Sequence, residues 1–292
     1  MAAAFRPRRS VLYMPGSNAR ALEKARTLAA DALIFDLEDA VSPESKELAR
    51  AQVAAAVKEG GFGSREVIIR VNGPDTEWGE ADMKAACDAG PDAILVPKVN
   101  GPDDVLRADH ALKSQGAPAH TSLWVMMETP RAMLDALAIA DAAKGTRLEC
   151  FVMGTNDLAK ETRANLVAGR GPMNAWLMAC VAAARVAQID IIDGVYNTIA
   201  DSDGFEHECQ DARDRGFDGK TLIHPSQIDI ANNAFGPSQL EVEWARAILA
   251  TFALPENQGK GALQLDGKMV ERLHADIARR TVAIAEAIAQ RG

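Results

Sequence analysis

Short runs that are apolar throughout alternate with longer runs whose apolar residues recur every three or four positions, and the alternation repeats along most of the chain. The continuous runs fall at residues 10–14, 32–36, 67–71, 93–96, 123–127, 149–153, 189–192 and 219–223. Runs of that kind suit parallel strands covered on the outside by helices. The amphipathic runs between them predict helices over 19–30, 44–58, 77–88, 103–114, 131–142, 174–187, 203–215 and 225–233. Eight strand and helix pairs in succession are the count of a closed (β/α)8 TIM barrel, an α/β fold. An open doubly wound sheet is the alternative, but no GxGxxG follows any strand run.

The pattern changes after Phe235-Gly236-Pro237. A helix over 238–254 leads to a Gly-rich break at Gly259, Gly261 and Gly267, and then to a long Ala-rich helix over about 269–290. Eight pairs are already assigned, so the chain reads as a barrel domain over 1–235 and a C-terminal helical extension over 236–292. The extension acts as a lid, as an element swapped between subunits, or as an outer helix completing the core.

With 292 residues and 48% hydrophobic content, one large core is within reach and no second core is needed. The formal charge of −9 argues against nucleic acid or an anionic membrane as partner, since an acidic surface offers neither a counter-charge. Cys87, Cys150, Cys180 and Cys209 are far apart, with no CxxC, which speaks for reduced thiols in a cytoplasm rather than a zinc site or a disulfide framework. Arg6, Arg8 and Arg9 near the start precede no apolar signal region, and no apolar run approaches the roughly 20 residues of a membrane span. A soluble, cytoplasmic protein is expected, with Arg9 either a solvated leader residue or a ligand contact.

Polar residues collect just past the strand runs: Pro15-Gly16-Ser17, Glu38-Asp39, Asn72-Gly73, Lys98, Glu128, Asn156-Asp157, Asn197 and His224-Pro225. A barrel with its chemistry at the C-terminal ends of the strands has this distribution. Glu128 and Asp157 follow successive strands, so they lie side by side and read as ligands of a divalent metal; capping the next helix is the other reading. In Asp36-Leu37-Glu38-Asp39, the acids either orient water around such a metal or form a solvated loop. Arg70 ends a buried strand and must be paired; held by Glu38 or Asp39, it can still offer donors to a carboxylate or a polarised carbonyl. Gly154-Thr155-Asn156 forms a turn entering a helical segment, where backbone N–H groups can grip an anion, or where a tight turn simply needs glycine. Pro15-Gly16-Ser17-Asn18, with Arg20 and Lys24 on the first helix, is a weaker phosphate signal than a true P-loop. His207 and His224 read as structural, and no nucleophile elbow, HExxH or Schiff-base signature points to covalent catalysis.

Taken in order, Arg9-Ser10-Val11-Leu12-Tyr13-Met14-Pro15-Gly16-Ser17, Phe35-Asp36-Leu37-Glu38-Asp39-Ala40-Val41, Arg70-Val71-Asn72, Val96-Pro97-Lys98, Met127-Glu128-Thr129-Pro130 and Gly154-Thr155-Asn156-Asp157-Leu158 carry a resemblance. It continues through Asp193-Gly194-Val195-Tyr196, Gly219-Lys220-Thr221-Leu222-Ile223-His224-Pro225 and Asp266-Gly267-Lys268-Met269-Val270, almost the whole chain. The sequence resembles the HpcH/HpaI aldolase and citrate lyase beta-subunit superfamily, and within it the malyl-CoA lyases and malyl-CoA thioesterases. That resemblance implies a magnesium-dependent barrel, with manganese as a substitute, assembled as a homotrimer or homohexamer. It makes Glu128 and Asp157 the metal ligands, Arg70 the group that polarises substrate, and Glu38 and Asp39 the acids behind them. Gly154, Thr155 and Asn156 would hold the carboxylate of a 2-oxo acid, and Tyr13, Arg20 and Lys24 lie where the family places coenzyme A. Asn18 stands where some relatives carry a basic residue.

The implied reaction is C–C cleavage of a short 3-hydroxydicarboxylyl-CoA, of malyl-CoA or citramalyl-CoA type, to an acyl-CoA and a 2-oxo acid through a metal-stabilised enolate. Its near equal is hydrolysis of (3S)-malyl-CoA to malate and CoA. The tail bears on the choice: lyases of this family usually carry Asp after Gly-Lys-Met-Val, donated across a subunit interface as acid/base, whereas this chain has Glu271, as the thioesterases do. One added methylene moves that carboxylate by about an ångström, enough to change which atom it reaches. A CoA-independent 2-oxo acid aldolase and a non-catalytic CoA-ester-binding subunit remain as further readings. The former is disfavoured because its usual early histidine is missing before His110.

Overall fold

Eight strands, β1 (Ser10–Pro15), β2 (Ala32–Asp36), β3 (Glu66–Arg70), β4 (Ala93–Val96), β5 (Ser122–Met127), β6 (Leu148–Met153), β7 (Asp190–Asp193) and β8 (Gly219–Leu222), pair in parallel and in sequence order. β8 returns to β1, so the barrel expected from the apolar runs closes. This computed structural model describes residues 6–290. Alternate residues of the first seven strands fill the interior: Val11, Ala32, Ile34, Ile68, Ala93, Leu95, Trp124, Met126, Cys150, Val152 and Ile192 form one buried cluster. The intervening residues, such as Phe35 and Phe151, are equally buried, but under the helices. Burial on both faces is why the strands carry no polar alternation.

The lower end of the barrel is closed by charge. Arg8, 4% exposed, donates to Glu66 (2.8 and 2.7 Å), Glu149 (2.7 Å) and Asp190 (2.8 Å), and its guanidinium lies 4.9 Å from the Trp124 ring centre. Arg9 forms a two-pronged pair with Asp31 at 2.8 and 2.9 Å. Asp31 precedes β2 and Glu66 begins β3, so Arg9 belongs to the N-terminal ends of the strands, the face of a barrel that carries stability. Its alternative reading as a ligand contact is therefore corrected.

Helix limits depart further from the periodicity than strand limits do. The first helix is Ala19–Ala25, five residues short of the expected end. The single helix expected over 131–142 is two, Pro130–Leu134 and Ala136–Asp141. They meet at Asp135, whose φ of −106° leaves the helical region and whose carboxylate accepts from Arg131 Nε at 2.6 Å. An extra helix, Thr155–Thr162, precedes Asn174–Ala187 after β6. Among the described residues no helix is long and apolar enough to cross a membrane.

Contacts divide the described residues into two compact units, the barrel over Arg8–Asn232 and a second unit made of residues 233–290 together with Arg6 and Pro7. The second unit packs Ala245 and Ile248 of helix Gln239–Ala253 against Ala275 and Ala278 of helix Arg272–Ala289, with Val270, Leu263 and Leu265 completing the cluster. The Gly-rich break is in fact an antiparallel hairpin, β9 (Ala262–Leu265) and β10 (Lys268–Glu271), and the long helix begins at Arg272 rather than near 269. Asp266 and Gly267 form the hairpin's two-residue turn with φ of 47° and 77°. Positive φ at both positions is what a turn matching the strands' twist demands, and Asp-Gly supplies it.

Candidate active site

At the C-terminal ends of the strands a cavity of about 310 Å³ opens among Tyr13, Arg70, Glu128, Thr155, Asp157 and their neighbours. Glu128 leaves the end of β5 and is 1% exposed. Burial pushes its carboxyl up to about 7, against the pull of the Lys98 ammonium. Its Oε1 accepts the backbone N–H of Lys98 at 2.8 Å. The far side of Glu128 rests on Gly154, where an added Cβ would lie 2.5 Å from Oε2. Only glycine leaves room for the carboxylate to lie against the turn.

Asp157 sits in the first turn of Thr155–Thr162, where the helix dipole favours an anion. Burial raises its carboxyl, but the Lys98 ammonium that bonds to it wins and holds it below the usual carboxylate range. Lys98 Nζ also stands 3.6 Å from Glu128 Oε1, so one cation faces both acids. The sequence marks Lys98 as a polar residue past a strand and within Val96-Pro97-Lys98 but gives it no role; its position after β4, the neighbour of β5, is the signal that could have promoted it.

Arg70, 6% exposed, ends β3. Its principal partner is Asp36 rather than Glu38 or Asp39: Nε and Nη2 donate to the two Asp36 oxygens at 2.7 and 2.6 Å. Asp36 and Arg70 are register partners across β2 and β3, a pairing visible only once the strands are aligned. Arg70 Nη1 lies 2.7 Å from Glu38 Oε2 and 3.6 Å from Asp39, whose side chain is 66% exposed at the rim. Burial pushes the Glu38 carboxyl up to about 8 despite the guanidinium. Lys46 donates at 2.8 Å each to the carbonyls of Leu37 and Glu38 and to Asn72 Oδ1, fixing the loop that carries these acids.

Tyr13 lies on the cavity wall, its ring centre 4.9 Å from the Arg70 guanidinium, and burial raises its hydroxyl well above the usual phenol range. Arg20 and Lys24 are exposed on helix Ala19–Ala25 and do not line the cavity. Gly154, Thr155 and Asn156 do line it, and the first-turn N–H groups there have no intrahelical acceptors. The Asn156 side chain is committed to Asn197, the two amides exchanging bonds of 3.2 and 2.8 Å across the β6 and β7 loops. Glu271 is in the second unit, where its backbone N–H donates to His274 Nδ1 at 2.9 Å as helix Arg272–Ala289 begins.

A further network braces the opposite wall. Lys220, fully buried in β8, donates to Asp193 (2.6 Å), the Gly194 carbonyl (2.6 Å) and Glu208 (2.8 Å), and Arg170 donates to Asp193 at 2.6 Å. Thr221, which lines the cavity, donates to the Asp193 carbonyl at 2.9 Å.

Glu128 and Asp157 offer hard oxygen donors beside an open cavity, already compensated by one ammonium, and glycine at 154 gives the buried acid its seat. Among the described residues no cluster of three or more acidic, histidine or cysteine side chains suited to a metal exists. Two hard carboxylate donors suit magnesium or manganese, which accept one or two carboxylates and leave positions for water and substrate oxygens.

An arginine locked by one acid, two further acids facing a shared cation and an N-terminal helix turn, all at one end of a closed parallel barrel, define an enzyme of the (β/α)8 class. The chain belongs to the HpcH/HpaI aldolase/citrate lyase family, which it matches over residues 9–225. It is 50% identical over 289 residues to a (3S)-malyl-CoA thioesterase of Cereibacter sphaeroides, covering 99% of this chain and 98% of that protein. It is 37% identical over 273 residues to the citrate lyase subunit beta of Haemophilus influenzae, covering 90% and 92%. Among solved structures, the protein CitE from Mycobacterium tuberculosis, in complex with magnesium, acetoacetate and coenzyme A, superposes with a TM-score of 0.74 at 26% identity, covering 97% of this chain and 99% of that one.

Proposed function

We propose that the protein hydrolyses the thioester of (3S)-malyl-CoA, or of a closely related 3-hydroxydicarboxylyl-CoA, to the free acid and CoA. The observation that carries this reading is the 50% identity with a (3S)-malyl-CoA thioesterase along nearly the full length of both chains. Glu271 in the tail motif supports it from the sequence side. It reverses the order of preference in which C–C cleavage stood first. Cleavage to an acyl-CoA and a 2-oxo acid remains the second reading, supported by the 37% identity to a citrate lyase beta subunit.

Glu128 and Asp157 would hold a magnesium ion, or manganese in its place. When bound, that ion supplies Lewis-acid polarisation of a substrate oxygen. Arg70, held by Asp36 through Nε and Nη2 and facing Glu38 through Nη1, lines the cavity and would use its remaining N–H donors to stabilise negative charge building on the substrate oxygen. The first-turn N–H groups from Thr155 onward would receive a substrate carboxylate. Glu38, whose carboxyl burial raises to about 8, would back Arg70 from 2.7 Å, and Asp39 would stand at the rim as a second acid. Glu271 would serve as the acid/base that activates water, carried by the second unit acting as a lid or as an element given to a neighbouring subunit in a homotrimer or homohexamer. Tyr13, on the cavity wall with its ring centre 4.9 Å from the Arg70 guanidinium, would meet the acyl end of the coenzyme A ester, and Arg20 and Lys24 would meet its phosphates outside the cavity.

In hydrolysis water adds to the thioester carbonyl, the C–S bond breaks, and the thiolate takes a proton to leave as CoA. In the lyase reaction the C–C bond breaks instead and the thioester survives in acetyl-CoA. Incubation with (3S)-malyl-CoA and Mg²⁺, reading free thiol with a thiol-specific dye and glyoxylate as its phenylhydrazone, separates the two. Thiol without glyoxylate is expected; glyoxylate without thiol establishes the second reading, and neither product defeats both.

A further inference from the structure

Lys98 does more than balance charge. It follows β4 with a φ of 56°, a left-handed conformation that a residue with a Cβ seldom adopts and that costs free energy to hold. The consequence of that conformation is a double grip. The backbone N–H points at Glu128 Oε1 at 2.8 Å, while the side chain folds back so that Nζ bonds to Asp157 and stands 3.6 Å from the same Glu128 oxygen. Two carboxylates held this close repel each other, and Glu128 is almost wholly removed from water, so a positive charge placed beside both lowers the cost of the arrangement.

We infer that Lys98 is an internal counter-ion: it keeps the acidic pair assembled in the metal-free protein, and binding of a divalent cation is an exchange in which the ammonium gives up the pair. The inference rests on the metal reading proposed above. Its chemistry favours lysine over arginine, because a single charged nitrogen on a flexible four-carbon stem can withdraw where a forked guanidinium would hold on. The side chain is 37% exposed, so a way out exists. The main-chain contact does not depend on the ammonium, and Glu128 keeps its orientation through the exchange. A site built in this way is formed in advance, at the cost of weaker affinity for the ion than two bare acids would show, and linkage makes the antagonism between ammonium and metal reciprocal.

The test is Mg²⁺ binding by calorimetry and Mn²⁺ binding by electron paramagnetic resonance, on the wild type, Lys98→Met and Lys160→Met. Lys160 supplies the control: it is exposed on helix Thr155–Thr162 and acts on Asp157 only as a charge at a distance. Lys98→Met is expected to bind the ion about fivefold more tightly or better, the low end of ordinary coupling between sites. It should also melt at a lower temperature than the wild type in EDTA and regain the difference in excess Mg²⁺. Lys160→Met should change affinity less and show no EDTA-specific loss. If Lys98→Met does not fold, Lys98→Gln, which keeps a neutral donor, carries the same comparison. Wild-type binding with unchanged or weaker binding in the Lys98 variant overturns the counter-ion; absence of binding by the wild type overturns the metal reading beneath it.

Discussion

Replacing Gly154 by alanine isolates the seat of the buried acid. The φ of −101° at Gly154 suits any residue, so the substitution introduces no backbone strain and its whole effect is steric. The new methyl would stand 2.5 Å from Glu128 Oε2 and closer still to Glu128 Cβ, with Met126 Cε at 3.1 Å. Rotating the carboxylate leaves the contact with Cβ in place, so the end of β5 and the turn after β6 must part, which carries the carboxylate away from its 2.8 Å bond with the Lys98 N–H. Overpacking of this kind costs about 2 kcal/mol, which for a domain of this size lowers Tm by roughly 4–8 °C. Turnover should fall much further than stability, because the displaced group is the proposed metal ligand. Calorimetry on Gly154→Ala and Gly145→Ala, the latter with nothing within 4 Å of the new methyl, supplies the comparison. A Gly154→Ala protein with wild-type Tm and wild-type turnover of (3S)-malyl-CoA would refute the steric reasoning.

Three further outcomes follow from the same geometry. Glu128→Ala and Asp157→Ala should each abolish thioester turnover while leaving the circular dichroism spectrum unchanged, and turnover that survives in EDTA would count against a metal. Asp36→Asn removes the charge that pairs with both Arg70 nitrogens; breaking a buried pair costs about 3–5 kcal/mol, so chemical denaturation should show a large loss, and an unchanged midpoint would mean Arg70 is held by other groups. Glu38 gives a pH signature: burial raises its carboxyl from 4.5 to about 8, so the folded chain keeps a proton that the unfolded chain has lost across that window. Its contribution to stability is full below pH 4.5 and fades as pH rises toward 8, by a few kcal/mol at most. Denaturation in EDTA should show Glu38→Gln losing less stability than wild type between these pH values, while Glu128, raised to about 7, titrates in both proteins; parallel profiles would remove Glu38 from the account.

The barrel was legible because its strands are buried on both faces, so unbroken apolar runs mark them, and no observed strand end differs from those runs by more than one residue. Helix limits were less so, since Asp135 and Arg131 bond to each other and interrupt a helix whose apolar period continues through them. The hairpin carried a readable signal in Asp266-Gly267, which the surrounding glycines masked as a loose break. At the site, Glu128 and Asp157 could be paired from strand order alone, whereas Asp36 as the mainstay of Arg70 depends on register, and Lys98 on the path of a long side chain. Neither quantity is written in local sequence.

Arg8 precedes every strand of the barrel, yet it cannot be removed without cost. It leaves the ribosome ahead of the three acids it serves, which lie at 66, 149 and 190, so its charge has no permanent home until most of the chain has been made. Closure of the ring is thereby tied to late synthesis, and a deletion reaching Arg8 would set acids from three different strands against one another at the floor of the barrel.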